Sequence, residues 1–198
     1  MKSVISRAFG MICIMTVLCG GIYPLAVTGI SQAAFPEQAN GSMIKIDDKA
    51  YGSKFMAQKF TGNQYMWGRI MNIDAESFTD AKGSGYFYAA PDNISPASHE
   101  YSVLVAERVQ KIKESNPDAT VSSIPVDLVT NSGSGLDPHI SLAAAEYQVP
   151  RLAKERHMAE TDIRKIVDTY TTDRFLGVFG EPVVNVLQVN LALDGLLK

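Results

Sequence analysis

After Arg7 the next charged residue is Glu37, so AFGMICIMTVLCGGIYPLAVTGISQAAFP, Ala8 to Pro36, carries no charge at all. A helix needs about 20 mainly apolar residues to cross the hydrocarbon of a bilayer, and this run is long enough even with its last third at the interface. Whatever follows is therefore tethered to a membrane or exported across one. The run is read as an uncleaved transmembrane helix over 8–30, preceded by a short N-terminus, 1–7. A secretory signal is the rival, with Ser31-Gln32-Ala33 as its cleavage site. Against it, an h-region usually spans about 7–15 residues, and this one continues past Gly20, Gly21 and Pro24 to Ile30.

Both readings agree on orientation. Lys2 and Arg7 precede the run and no basic residue follows until Lys45, which leaves the N-terminus cytoplasmic under the positive-inside rule and places 31–198 outside. The part after the run holds 16 basic and 21 acidic residues, a net of −5. That is a poor match to nucleic acid, whose binding rests on clustered Lys and Arg against phosphates. Cys13 and Cys19 both lie inside the run, so the exported part holds no disulfide and depends on packing, for which its size suffices.

The exported part reads as one mixed α/β domain. SMIKIDDKAYGSKFMAQKF, Ser42 to Phe60, alternates short apolar runs around Asp47-Asp48 and Gly52 and predicts a hairpin or two short strands. TGNQYMWGRIMN reads as loop with aromatic content, and Thr79 to Pro96 as an ordered surface loop. A helix follows, capped by Ser95 with Pro96 in its first turn, and stopped by Asn116-Pro117. Ser122 to Thr130 predicts a strand, about Ser141 to Arg156 and about Glu160 to Thr172 predict helices, and Val183 to Leu191 predicts a buried strand whose polar positions need partners.

The most chemically suggestive stretch is VTNSGSGLDPHIS, Val129 to Ser141. It has the glycines of a phosphate loop but no lysine, and Gly133-Ser134-Gly135 lacks the spacing of a nucleophile elbow. The mechanical reading is a tight turn: glycines accept positive φ, Asp137-Pro138 disfavours helix at Asp137, and Ser141 caps the helix that begins at Leu142. Arg151, Lys154, Arg156 and Arg164 sit in a pattern resembling a helix-turn-helix, but Pro150 interrupts it and Glu146, Glu155, Glu160 and Asp162 dilute the positive face. His99, His139 and His157 show no metal-ligand spacing. The residues alone thus argue for an anchored, exported domain without visible catalytic apparatus, with an exported hydrolase using Ser134 and His139 as the alternative.

Six segments in order, GGIYPL (20–25), FPEQANGS (35–42), FTGNQYMWGR (60–69), PVDLVTNSGSGLDPHIS (125–141), YQVPRLAKER (147–156) and GEPVVNVLQVNLALD (180–194), resemble the C subunit of the Kdp potassium-transporting P-type ATPase of bacterial plasma membranes. The resemblance implies a non-catalytic subunit with one transmembrane helix and an extracytoplasmic domain. Its partners are then the lipid bilayer, a channel-like potassium-translocating subunit and an ATP-hydrolysing P-type subunit, with no nucleic acid. It implies assembly and stabilisation of the complex and promotion of ATP binding, with no cofactor or metal held tightly and ATP acting at the level of the complex. Expected contacts are Gly20, Gly21, Tyr23 and Pro24 in the helix, where small residues permit close approach. In the domain they are Phe60, Tyr65, Trp67, Arg69, Ser134, Leu136, Asp137 and His139. Ile70-Met71 and the aromatic stretch between Gly83 and Ser98 depart from the family's pattern.

Overall fold

A computed structural model describes residues 2–74, 88–89, 91–119 and 123–197. They form two compact units that divide between Met43 and Ile44. The expected loop over Thr79–Pro96 falls outside the described residues at 79–87 and 90, as does the start of the expected strand at Ser122.

In the first unit, α1 (Lys2–Val17) passes through a π-turn (Leu18–Ile22) into α2 (Tyr23–Ala34) without a break. The 32 residues Ser3–Ala34 are long and apolar enough to cross a membrane. The π-turn answers to Pro24, which has no N–H and whose ring crowds the carbonyl four residues earlier. Widening the preceding turn relieves that conflict, and Tyr23 N–H bonds to Leu18 O, five residues back. Gly20 and Gly21 line the widened turn, and beyond the neighbouring helix backbone nothing lies within 4 Å of a Cβ placed on either. Past Phe35 the four-residue α3 (Pro36–Ala39) is held by Asn40, whose Nδ2 donates to Gln32 Oε1 at 3.0 Å and Pro36 O at 2.7 Å.

The expected hairpin is present: β1 (Met43–Ile46) and β2 (Lys49–Ser53) are joined by Asp47-Asp48, with φ of 50° and 61°. Aspartate tolerates that left-handed geometry better than most residues. Gly52 suits its place because it holds φ at +149°, a conformation that L side chains rarely adopt, and a Cβ there would also displace Gln58 Nε2, which donates to Tyr51 O. Two residues each form the antiparallel pair β3 (Ile73–Asp74) and β4 (Tyr88–Ala89).

Helix α4 (His99–Ser115) starts one turn later than the sequence suggests. Its cap is Ser98, whose Oγ accepts from Tyr101 N–H at 3.1 Å, while Ser95 and Pro96 form the turn that delivers Ser98. Val126–Leu128, expected in a strand, is a 3-10 turn after Pro125. Its Asp127 carboxylate accepts from Ser141 N–H at 2.7 Å, a bond made across the fold rather than along a ladder.

Strands β5 (His139–Ser141), β6 (Thr171–Thr172) and β7 (Val183–Asn185) form an antiparallel sheet in the order β5-β7-β6. Helix α5 (Leu142–Arg156) is capped by Ser141 as expected. Pro150 does not interrupt it: Glu146, whose carbonyl loses its donor to the proline, is an exposed residue, so that carbonyl is not stranded in the core. Helix α6 (Glu160–Thr169) follows. The expected C-terminal strand stops at Asn185, whose side chain accepts from Gln188 N–H at 3.0 Å and caps α7 (Val186–Leu193). The alternation of VVNVLQVNLAL misleads because α7 is buried on nearly every side, so no polar face interrupts its apolar residues.

Ile140, Leu152, Ile163, Val184 and Val189 are among the core residues that α5, α6, α7 and the sheet bring together. Against this core lies the irregular segment 62–69, held by side-chain amides acting as strand partners. Asn190 Oδ1 accepts from Met66 N–H at 2.8 Å and Asn190 Nδ2 donates to Met66 O at 2.9 Å. Gln148 does the same for Trp67, at 2.8 and 3.0 Å. Asn190→Ala leaves both Met66 backbone groups buried without partners, an expected loss of about 3 kcal/mol. Urea unfolding of the detergent-solubilised chain, followed by fluorescence of its single tryptophan, measures it.

Candidate functional site

Beneath the irregular segment sits Arg151, on the α5 face that Gln148 shares. Its Nε donates to Asn116 Oδ1 at 2.9 Å, Nη1 to Tyr65 O at 3.0 Å and to Asn63 O, and Nη2 to Gln148 Oε1 at 2.7 Å. The guanidinium carbon lies 4.7 Å from the centre of the Trp67 ring, and Trp67 Nε1 donates to Gly62 O at 2.9 Å. Burial draws the Arg151 pKa down to about 10, with Glu155 opposing, so it is a cation at neutral pH. One turn further, Arg156 stacks at 5.2 Å on Tyr65 and donates to Gln64 O, Leu193 O and Asp194 Oδ1. Arg164 is held by Glu146 and Glu160. The guanidinium groups that resembled a nucleic-acid-reading face are engaged within the domain.

The expected domain contacts fall into two sets. Tyr65 and Trp67 belong to the docked segment and Phe60 packs against it: Phe60 and Tyr65 have ring centroids 5.4 Å apart, and Trp67 is 8 % exposed. Arg69, Asp137 and His139 meet at the Gly135 turn. Arg69 Nη1 lies 3.6 Å from Asp137 Oδ2 and Nη2 donates to Asn131 O at 3.1 Å, while Asp137 Oδ1 accepts from His139 N–H at 3.0 Å. The turn is a built element: Gly135 has φ +71°, and the carbonyls of Gly135 and Leu136 accept from Asn72 N–H and Ala57 N–H. Leu136 is half-buried and Ser134 exposed.

His139 Nε2 is 3.3 Å from Asn185 Nδ2, and Ser134 Oγ accepts from Leu136 N–H at 3.2 Å and lies 3.3 Å from Ser132 Oγ. Among the described residues no hydrogen bond joins Ser134 to His139, so the pair that a hydrolase reading needs is not assembled. Arg69 also borders a groove of about 360 Å³ with Phe60, Trp67, Met71, Arg108 and Lys111 among its walls. Arg108 is paired there with Asp92 at 3.8 Å. Apolar walls beside cations suit an acidic or amphipathic group of a partner.

Sequence reasoning missed Gln148, Arg151 and Asn116 as a set. The available signal was polar residues at helix positions 148 and 151, on the apolar face between Val149 and Leu152. It also assigns no role to FLGVF, Phe175–Phe179, which projects into solvent.

One apolar helix long enough to cross a membrane, joined to a mixed α/β domain of this build, defines the class of chain. The family model for the K+-transporting ATPase c chain, KdpC, matches residues 5–195. The potassium-transporting ATPase KdpC subunit of Clostridium botulinum (strain Alaska E43 / Type E3) is 55% identical over 197 residues, 100% of this chain and 98% of that protein. The subunit of the same name from Clostridium perfringens is 54% identical over 195 residues, 98% of each chain. That from Paraburkholderia phytofirmans is 43% identical over 194 residues, 98% of this chain and 97% of that one. The chain belongs to the KdpC family and is a subunit of the K+-transporting P-type ATPase.

Two outcomes follow. Arg151→Met strands the carbonyls of Tyr65 and Asn63 and the Asn116 amide oxygen, costing about 3 kcal/mol. Arg151→Lys does not restore it, because an ammonium lacks the planar fork that reaches these acceptors together; chemical unfolding of both variants checks this. Burial lowers the His139 pKa below 6.5, outweighing Asp137, which raises it, with Lys54 adding to the lowering. The unfolded chain then binds a proton that the folded chain refuses. The His139 contribution is complete above about pH 6.5 and is lost as pH falls from there toward the folded-state pKa. His139→Gln flattens that part of the stability–pH curve, measured by urea titration between pH 5 and 8.

Proposed function

We propose that the chain acts as a non-catalytic accessory subunit, joining and stabilising a channel-like potassium-translocating subunit and an ATP-hydrolysing P-type subunit. The observation that carries this reading is the extent of the family match, residues 5–195, which takes in the apolar helix and the α/β domain together. A domain whose buried Arg, Gln and Asn groups are engaged in holding its own backbone suits an assembly role.

The helix lies in the bacterial plasma membrane with Lys2 and Arg7 on the cytoplasmic side and the domain outside, supported by the placement of the basic residues. Gly20 and Gly21 at the π-turn favour close approach of a partner helix, and Tyr23 and Pro24 flank that contact. The Arg69–Asp137–His139 turn with Ser134 and Leu136, and the groove beside Phe60, Tyr65 and Trp67, supply partner surfaces on the domain. ATP is bound by the hydrolysing subunit. Any effect of this domain on its affinity travels through the membrane subunits as a coupling free energy, about 1–3 kcal/mol in typical allosteric systems.

Tagging the chain after Lys198, growing the native host in scarce potassium and extracting membranes in mild detergent tests the proposal. The expected outcome is co-purification of a channel-like protein and a P-type ATPase, with potassium-stimulated ATP hydrolysis. A tagged chain that elutes alone and lacks the first 30 or so residues defeats it.

A further inference from the structure

His139 in β5 and Asn185 in β7 are a cross-strand pair, with His139 Nε2 3.3 Å from Asn185 Nδ2. An imidazole nitrogen can donate or accept, so the roles at this contact are set by what else the amide does. Asn185 Oδ1 accepts from Gln188 N–H at 3.0 Å, capping α7, and Nδ2 donates to Lys54 O at 2.8 Å. Turning the amide over would set its NH2 against the Gln188 N–H and its oxygen against the Lys54 carbonyl. Two backbone groups therefore fix the orientation, and Nδ2 presents a hydrogen to His139. His139 Nε2 accepts it, which leaves the ring neutral with its proton on Nδ1, 3.7 Å from Asp137 Oδ1. Asn185 is 2 % exposed, so a partner lost here is not replaced from bulk water.

We infer that His139 and Asn185 form an acid-released latch, which fastens the chain leaving β2 and the first turn of α7 to the β5–β7 pair. Protonation puts a hydrogen on Nε2, and two donors then point at each other across 3.3 Å. The charged groups facing the ring decide which side yields. Asp137, on the turn before β5, attracts the imidazolium, and its other oxygen lies 3.6 Å from Arg69 Nη1, which holds the carboxylate in place. Lys54, on the segment after β2, repels it. The ring stays with Asp137 and the Asn185 side chain leaves, giving up both the bond to Lys54 O and the α7 cap. Burial of the ring, with Lys54, opposes protonation more than Asp137 favours it. The latch is thus closed at neutral pH and opens as pH falls below the ordinary histidine value of 6.5. Acid around the domain loosens the face that carries Arg69, Asp137 and His139, while core residues such as Ile163 on α6 keep their packing. This device is independent of the accessory-subunit reading.

Two measurements on the detergent-solubilised full chain test the latch. Nitrogen-15 spectra of the histidine rings at pH 7.5 are expected to show His139 neutral with its hydrogen on Nδ1; a hydrogen on Nε2 overturns the proposal. Hydrogen exchange between pH 7.5 and 4 is expected to show the protection factor of Gln188 N–H falling about fivefold, the size of a lost N-cap. The fall shares its midpoint with the titration of His139, and Ile163 N–H keeps its protection. A His139 that does not titrate in this range, a Gln188 protection unchanged across its titration, or a loss shared with Ile163 each overturns the latch. His139→Gln is expected to remove the step, and a step that survives it belongs to another group and sinks the idea. Asn185→Asp offers an oxygen to the Nε2–H while still capping α7, so it moves the His139 titration to higher pH and reverses the Gln188 step. A step of unchanged sign in that variant is equally fatal, and it decides the matter should His139→Gln fail to fold.

Discussion

A buried guanidinium holds this domain together. Arg151 reaches four acceptors contributed by the residue that ends α4, the irregular segment and its own helix, and stacks on Trp67. Taking a charge out of water is costly, and the site offsets that cost with hydrogen bonds to carbonyl and amide oxygens, which retain the positive form even as burial lowers its pKa to about 10. Met66 is fully buried and Trp67 nearly so, although the backbone around them is neither helix nor strand. Gln148 and Asn190 supply the donors and acceptors that a neighbouring strand would otherwise provide, so the chain crosses the core without orphaned polar groups at these residues.

This arrangement links the two sets of expected contact residues. The segment fastened by Arg151 continues into Arg69, which meets Asp137 at the Gly135 turn, while Asn185 caps α7, donates to Lys54 O and touches His139. The turn that looks most like a catalytic loop in sequence is thus a junction: its glycine sets the chain reversal, its aspartate organises Arg69 and the His139 N–H, and its last serine caps α5. The same logic operates in the first unit, where a π-turn absorbs the conflict that Pro24 creates.

Sequence was most legible where a local physical rule acts alone. The uncharged run of 8–36, the caps at Ser141 and Asn116, the Asp47-Asp48 turn and the glycine of the 133–135 stretch each depend on the residue and its immediate neighbours. It was least legible where burial overrides pattern. Val183–Leu191 alternates like a strand, yet Asn185 caps a helix that begins one residue later, because a segment surrounded by core loses the polar face that reveals helical period. Pro150 reads as a break, yet the helix continues because its cost falls on an exposed carbonyl. The arginines of α5 and α6 read as a charged face, yet two of them turn inward onto segment 63–65.

What the sequence by itself determined is the class of chain: an apolar helix of membrane length, a domain that folds without disulfides, a charge balance unsuited to nucleic acid, and motifs in an order that marks the family. These properties are sums or local patterns, and no folding is needed to read them. Only the tertiary structure decided which polar residues hold the core, where Arg69 finds its carboxylate, and that Phe175 to Phe179 stands clear of the surface. Those outcomes depend on contacts across the fold, such as Asn190 to Met66 at a separation of 124 residues, and distance along a chain carries no record of distance in space.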